Sequence, residues 1–222
     1  AANFDRVQSM ALPYPVPANE PERLRALRAY KILDTKPEER FDDLTKLAAL
    51  ICGVPISLIS LIDTDRQWFK SKFGLDLQET PRAQAFCTHA IMQPDLFVVP
   101  DASKDERFKD NPLVTGDLHV RFYAGEPLAA RDGHVLGTLC VIDRVPHTIT
   151  EEQKEALKLV GRLVIANFEL RRDLHDLREA LTREATGRAA GASPANLDEI
   201  ISRLQGMASE LQAVREQNIP PV

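Results

Sequence analysis

The residues best suited to chemistry are a cysteine and a histidine two apart, Cys87 and His89, in the stretch AFCTHAI. A C-x-H pair can contribute to a metal site or carry an activated thiol. On a helix, a spacing of two turns the side chains to different sides, and no neighbouring cluster supplies further ligands. The other reading is a buried cysteine beside a surface or pocket histidine. A second group is the stretch His119 to Leu128, which alternates strictly. Val120, Phe122 and Ala124 fall on one face, and His119, Arg121 and Tyr123 on the other. Arg121 has acids within reach in the preceding loop, Asp101 and Asp105, with which it can pair. Aromatic side chains are concentrated around both groups: Trp68, Phe69, Phe86, Phe108, Phe122 and Tyr123. They fit either an apolar ligand pocket or a filled core.

These residues need elements to hold them. Asn19 with Glu22 forms a capping-box pattern, Pro21 suits a first helical turn, and Leu24, Leu27 and Tyr30 continue at helical spacing to Leu33. Thr35 with Glu38 repeats the signature before Phe41, Leu44, Leu47, Ala48 and Ile51. Gly53 fits the end of that helix. The pattern then changes: Ile56–Ile62 is β-rich and bounded by the turn at Asp63–Asp65, and Arg66–Phe73 follows as its hairpin partner. A short helix is expected from Gln84 to Met92 and a short strand from Leu96 to Val99. Residues 100–117 read as a long loop. His119–Leu128 and Val135–Ile142 form a hairpin about Asp132-Gly133. Helices packed on an antiparallel sheet make an α+β domain.

Thr150 and Gln153 cap a further helix, which carries a heptad: Ala156, Val160, Leu163, Asn167, Leu170, Leu174, Leu177 and Leu181. Such a seam pairs with a second copy, so a homodimer through Val160, Leu163, Leu170, Leu174, Leu177 and Leu181 is expected; the other reading is an amphipathic helix that packs on its own sheet, open to Leu163 and the earlier positions but not to Leu170 and beyond. Asn167 at a seam position can set register. The glycines and small residues from Gly187 to Ser193 interrupt the helix. Ser193-Pro194 opens another with Leu197, Ile200, Leu204, Met207, Leu211 and Val214 in line, either packing back or extending the dimer. The organisation read from these patterns is an extended arm over residues 1–18, a domain over 19–172 and a helical dimerisation segment over 173–222.

Composition narrows the function classes. With 28 basic and 33 acidic residues among 222, the net charge is −5 and no basic stripe is present, which argues against nucleic acid as a partner. Three widely spaced cysteines are neither a disulfide framework nor a zinc pattern. No apolar run reaches the roughly 20 residues of a membrane span, and no secretion signal is visible, so a cytoplasmic location is expected.

Between residues 20 and 172 the sequence resembles the GAF domain family, especially the N-terminal GAF domains of bacterial sensor histidine kinases and diguanylate cyclases. The matching stretches are ERLRALRAYKILDT, FDDLTKLAALICGVPISLISLID, RQWFKSKFGL, TPRAQAFCTHAI, VVPDASKDERFKDNPLV, RFYAGEPL and GTLCVIDRVPHTIT, in that order. The resemblance implies a six-stranded antiparallel sheet with helices on one face and a ligand pocket under loops on the other, followed here by the long coiled-coil helix. It implies a signalling role: a small ligand or chemical signal is sensed and passed to a downstream domain or protein. Trp68, Phe86, Cys87, His89, Asp101, Phe108, His119, Arg121, Tyr123 and Cys140 are the expected ligand-site residues. The family binds cyclic nucleotides, tetrapyrroles, haem or metabolites, so neither ligand nor cofactor is named by it. His119 would be the axial ligand of a haem. The Cys-His dipeptide that carries a bilin is absent, as is the cyclic-nucleotide pattern. Cys87 and Cys140 might lie close in space, as in a thiol-active member. With no phosphoacceptor, ATP-binding or cyclase motif, the expectation is a regulatory domain rather than an enzyme, with a purely structural dimerisation domain as another reading.

Overall fold

The computed structural model describes residues 14–191, with side chains to Glu184. One compact unit ends at Arg172 and a second begins at Asp173. The first thirteen residues of the expected arm, and the helix expected after Ser193, lie outside the described residues.

Helix α1 spans Glu20–Ala29 and α2 spans Glu39–Cys52. Pro21 occupies the first turn of α1, but Asn19 makes no side-chain cap. The helix stops short of Leu33 because Lys31 and Asp34 take positive φ values of 47° and 59°, which reverse the chain. The second helix starts after Glu38 rather than at Thr35, whose hydroxyl donates instead to the Ile32 carbonyl at 2.6 Å. Gly53, at φ 66°, closes α2 as its spacing indicated.

Strands β1 (Ile56–Ile62), β2 (Arg66–Phe73), β3 (Glu79–Pro81), β4 (Phe97–Val99), β5 (Phe122–Ala129) and β6 (Val135–Asp143) form one antiparallel sheet in the order β3-β2-β1-β6-β5-β4. Every residue of β1 is buried, because both sheet faces are covered. Ile59, Leu61, Leu139, Val141, Phe122 and Leu128 share one core with Phe41, Leu157, Val164 and Phe168. Leu58, Ile62, Cys140, Ile142 and Tyr123 share the other with Phe86, Ala90 and Phe108. The two-residue period of β6 thus sends Leu139 and Val141 one way and Cys140 and Ile142 the other. Phe168, with no exposed surface, contributes about 1.5–3 kcal/mol by leaving water.

A 3-10 turn at Arg82–Gln84 leads into the five-residue α3 (Phe86–Ala90), where one helix was expected. The long segment 100–117 is ordered by side chains that fold back on their own backbone. Asp101 accepts from the Ser103 amide at 3.1 Å, Asp105 from the Arg107 amide at 2.9 Å, and Asn111 caps α4 (Pro112–Thr115) through the Leu113 amide at 2.8 Å.

Helix α5 spans Glu151–Gly191. Thr150 and Gln153 make the reciprocal capping box: the Thr150 amide donates to Oε1 at 3.0 Å and the Gln153 amide to Oγ1 at 3.2 Å. The interruption expected from Gly187 does not begin there, since helical backbone passes through that glycine to Gly191. Leu157, Val160, Val164 and Phe168 bury themselves on the sheet. Val160 is therefore a core residue and not a seam residue; Leu159, 48% exposed, takes the outward position instead. Among the described residues no helix is long and apolar enough to cross a membrane.

Candidate functional site

On the sheet face away from α5, two thiols meet. Cys87 enters from α3 and Cys140 from β6, and their sulfurs lie 3.8 Å apart. Thr138 Oγ1 donates to Cys87 Sγ at 3.0 Å, and the Tyr123 hydroxyl donates to the same sulfur at 3.2 Å. Ser60 Oγ lies 3.1 Å from Thr138 Oγ1, extending the hydroxyl chain. All five side chains are buried. Burial alone would raise the Cys87 pKa, but the donors from Cys140, Ser60, Thr138 and Tyr123 outweigh it and bring it below the ordinary thiol value. The same contact raises Cys140, with burial adding to it. One sulfur is thus prepared to carry negative charge while its neighbour keeps its proton.

Aromatic rings close over the thiols. Phe86 stacks on Phe108 with centroids 4.0 Å apart and on Tyr123 at 5.3 Å. Such pairs contribute about 0.5–1.5 kcal/mol each beyond their burial. The Arg107 guanidinium lies 4.9 Å from the Phe97 centroid and 5.3 Å from that of Phe108. His89 meets Phe108 edge-on at 4.8 Å. Burial lowers its pKa, with the Arg107 charge adding to the effect.

Phe86, Cys87, Phe108, Tyr123 and Cys140 therefore converge, with His89 at their margin. The other expected residues do not join them. Trp68 is buried in the core on the opposite sheet face. His119 is exposed, at φ 55°, ahead of the strand rather than in it. That left-handed turn breaks the expected alternation, so Val120 falls in the core with Tyr123. Arg121 pairs with neither Asp101 nor Asp105. It donates to the Val114 and Val120 carbonyls at 3.0 and 2.9 Å and contacts the His119 ring at 2.7 Å. Asp101 pairs with Lys104 at 3.1 Å and Asp105 with Arg107 at 2.6 Å. Cys87 and His89 share no partner. Among the described residues, the three side chains close enough together to hold a metal are His175, Asp176 and Glu179.

A polar network on the helix-covered side was not anticipated. The Lys70 side chain is fully buried, and its ammonium donates to Thr35 Oγ1 at 3.0 Å, the Lys36 carbonyl at 2.7 Å and Glu38 Oε1 at 2.7 Å. Arg171 of α5 reaches the same Glu38 oxygen at 3.1 Å and the Tyr30 and Lys31 carbonyls at 3.2 and 3.0 Å. A cleft of about 400 Å³ adjoins it, lined by Asp34, Thr35, Asp42, Trp68 and Lys70 among others. The signal was present in the alternation of β2, which puts Lys70 on the buried face of Trp68.

Residues 36–167 match the profile of the GAF domain. The chain belongs to the GAF domain family. A cyclic di-GMP phosphodiesterase of Pseudomonas aeruginosa is 40% identical over 171 residues, which cover 77% of this chain. The chain spans about 29% of the length of that curated relative. The GAF domain from an Acinetobacter phosphoenolpyruvate-protein phosphotransferase is similar in structure, with a TM-score of 0.51 at 18% identity, covering 69% of this chain and 95% of that one. A bacteriophytochrome from R. palustris gives a TM-score of 0.52 at 11% identity over 83% of this chain and 42% of its own. At these identities the two structures share the fold with this GAF domain. The Pseudomonas relative corrects one expectation. The lack of kinase and cyclase motifs predicts a regulatory domain rather than an enzyme, yet a protein named for phosphodiesterase activity is 40% identical over 77% of the chain. Kinase and cyclase motifs belong to other enzyme classes and have no bearing on a phosphodiesterase.

Proposed function

We propose that this GAF domain is the signal-input part of a cyclic di-GMP phosphodiesterase, sensing a small ligand or chemical change and passing it on through a dimeric α5. The link to cyclic di-GMP comes from the 40% identical relative. The sensing side is assigned to the thiol and aromatic cluster, where a few polar groups converge inside an apolar shell. The input changes output only to the extent that it favours one of two states of the domain; coupling of typical size corresponds to about 5–150-fold.

The observation that carries the reading is the division of labour on α5. Its core face is buried on the sheet, while Leu159, Leu163 and Leu170 of the first unit are 48–52% exposed. In the second unit Leu174, Leu177 and Leu181 are 45–57% exposed. From Leu163 through Asn167 to Leu181 these positions alternate four- and three-residue steps as in a coiled-coil seam, while Leu159 stands four residues before Leu163. Asn167 stands among them, its amide donating to the Leu163 carbonyl at 2.8 Å.

Light scattering at micromolar concentration is expected to give about twice the 24.8 kDa chain mass, and Leu174→Asp about half of that value. A monomeric wild type would overturn the dimer. Release of the linear dinucleotide from cyclic di-GMP by the natural protein, compared before and after Leu174→Asp, tests the phosphodiesterase assignment. No turnover by the natural protein would remove it.

A further inference from the structure

We propose that Cys87 and Cys140 form a reversible modification site, in which a hydroperoxide oxidises the pair to a disulfide. The inference deepens the sensor reading and rests on it for its consequence, since it names the regulation of the same cluster.

The argument starts from geometry. The sulfurs are 3.8 Å apart, and they belong to elements held in different ways. Cys140 sits in β6, hydrogen-bonded on both sides by β1 and β5. Cys87 sits in α3, a helix of five residues between a 3-10 turn and a loop. A disulfide needs the sulfurs at about 2.05 Å, and the short helix is the element that can shift to close the gap. Two hydroxyls aim protons at one sulfur, those of Thr138 and Tyr123, and the Cys140 sulfur lies beside it. This is the environment that favours a thiolate, and the thiolate is the nucleophile.

The steps balance. The Cys87 thiolate attacks the distal oxygen of the hydroperoxide, and the O–O bond breaks. Sulfur keeps the hydroxyl as a sulfenic acid, and the leaving alkoxide or hydroxide takes up a proton. The Cys140 sulfur then attacks the sulfenic sulfur; the S–S bond forms, the S–O bond breaks, and the hydroxyl leaves as water with the Cys140 proton. Both thiols are oxidised, and the peroxide is reduced to an alcohol or water. The product removes the acceptor from Tyr123 and Thr138 and draws α3 toward β6. Phe86 and His89 lie on α3, so the aromatic stack moves with it.

Cys52 is a built-in control. It is buried on the other sheet face, and burial pushes its thiol up to about 11. The test treats the intact chain with excess hydrogen peroxide, then unfolds it in an alkylating reagent and maps the peptides. The expected result is a linked Cys87–Cys140 peptide pair that dithiothreitol releases, with Cys52 still fully alkylated. Cys140→Ser is expected to leave Cys87 as a sulfenic acid that dimedone captures, and Tyr123→Phe to slow the linkage several-fold. Alkylation of Cys87 and Cys140 as complete as that of Cys52 after peroxide overturns the proposal, as does oxidation of Cys52 at the same rate. Either result leaves the light-scattering outcome for Leu174→Asp standing, so failure of this site and failure of the sensor reading are told apart.

Discussion

Glu38→Gln is expected to lower the stability of the domain by about 2–3 kcal/mol, read as a fall of roughly 4–12 °C in Tm for a domain of this size. The reason is what the substitution leaves behind. Lys70 has no exposed side-chain surface and loses the carboxylate held at 2.7 Å, keeping the neutral Thr35 hydroxyl and Lys36 carbonyl. Breaking a buried pair from one side costs about 3–5 kcal/mol. The lower figure applies because Glu38 is 25% exposed and water offsets part of the loss. The substitution also strips the Arg171 guanidinium of its charged partner.

The pair carries a pH signature. Partial burial works to raise the Glu38 carboxyl, but hydrogen bonds from Lys70 and Arg40 outweigh it and hold the group at about 2 against an ordinary 4.5. A depressed carboxyl contributes stability that is complete above 4.5 and is lost as pH falls toward 2. Burial meanwhile lowers Lys70 despite Glu38, which by itself would favour the neutral amine. The geometry decides between the two: three acceptors at 2.7–3.0 Å surround the ammonium and hold it charged at neutral pH. Denaturant titrations should therefore show the gap between wild type and Glu38→Gln narrowing from pH 4.5 downward. A gap that stays constant across that window would refute the charge argument.

Gly137→Ala is expected to cost more, above about 4 kcal/mol, and to remove most of the folded protein. Gly137 pairs with Leu61 between β6 and β1 at the centre of the sheet. A Cβ there would stand 1.9 Å from the Ser60 carbonyl oxygen and 2.8 Å from the Leu61 Cα. Both obstacles are backbone, so no rotamer change relieves them and the two central strands must separate. Separation would also pull Thr138 away from Ser60 and the thiols. Gly133→Ala is the control. Nothing lies within 4 Å of its added Cβ, and the cost is that of a left-handed φ of 82°, about 1–2 kcal/mol. Thermal unfolding of the two variants should separate them clearly, and equal losses would remove the strand-contact explanation.

The element pattern was legible because it depends on near neighbours. β-rich composition on either side of the Asp63–Asp65 turn marked β1 and β2, Gly53 marked the end of α2, and Thr150 with Gln153 marked the start of α5. Misreadings arose where a few dihedrals overrode a pattern. The positive φ at His119 took that residue out of its strand and sent Val120 to the opposite core. Local bonds also displaced the expected ion pairs, because Asp101 and Asp105 found cations two or three residues away before Arg121 could reach them.

The sequence by itself determined that the chain is a GAF domain with a leucine-lined helix behind it, since both rest on short-range periodicity and ordered motifs. Only the tertiary structure decided which distant residues meet. Cys87 and Cys140, 53 positions apart, come together because α3 folds over the β6 face that Cys140 occupies. Glu38 and Arg171, 133 positions apart, meet because α5 returns across the connection between α1 and α2. Sheet packing also chose Val160 for the core and left Leu159 facing out. A two- or 3.6-residue period assigns a side chain to a face of its own element, but which partner covers that face depends on how the elements pack.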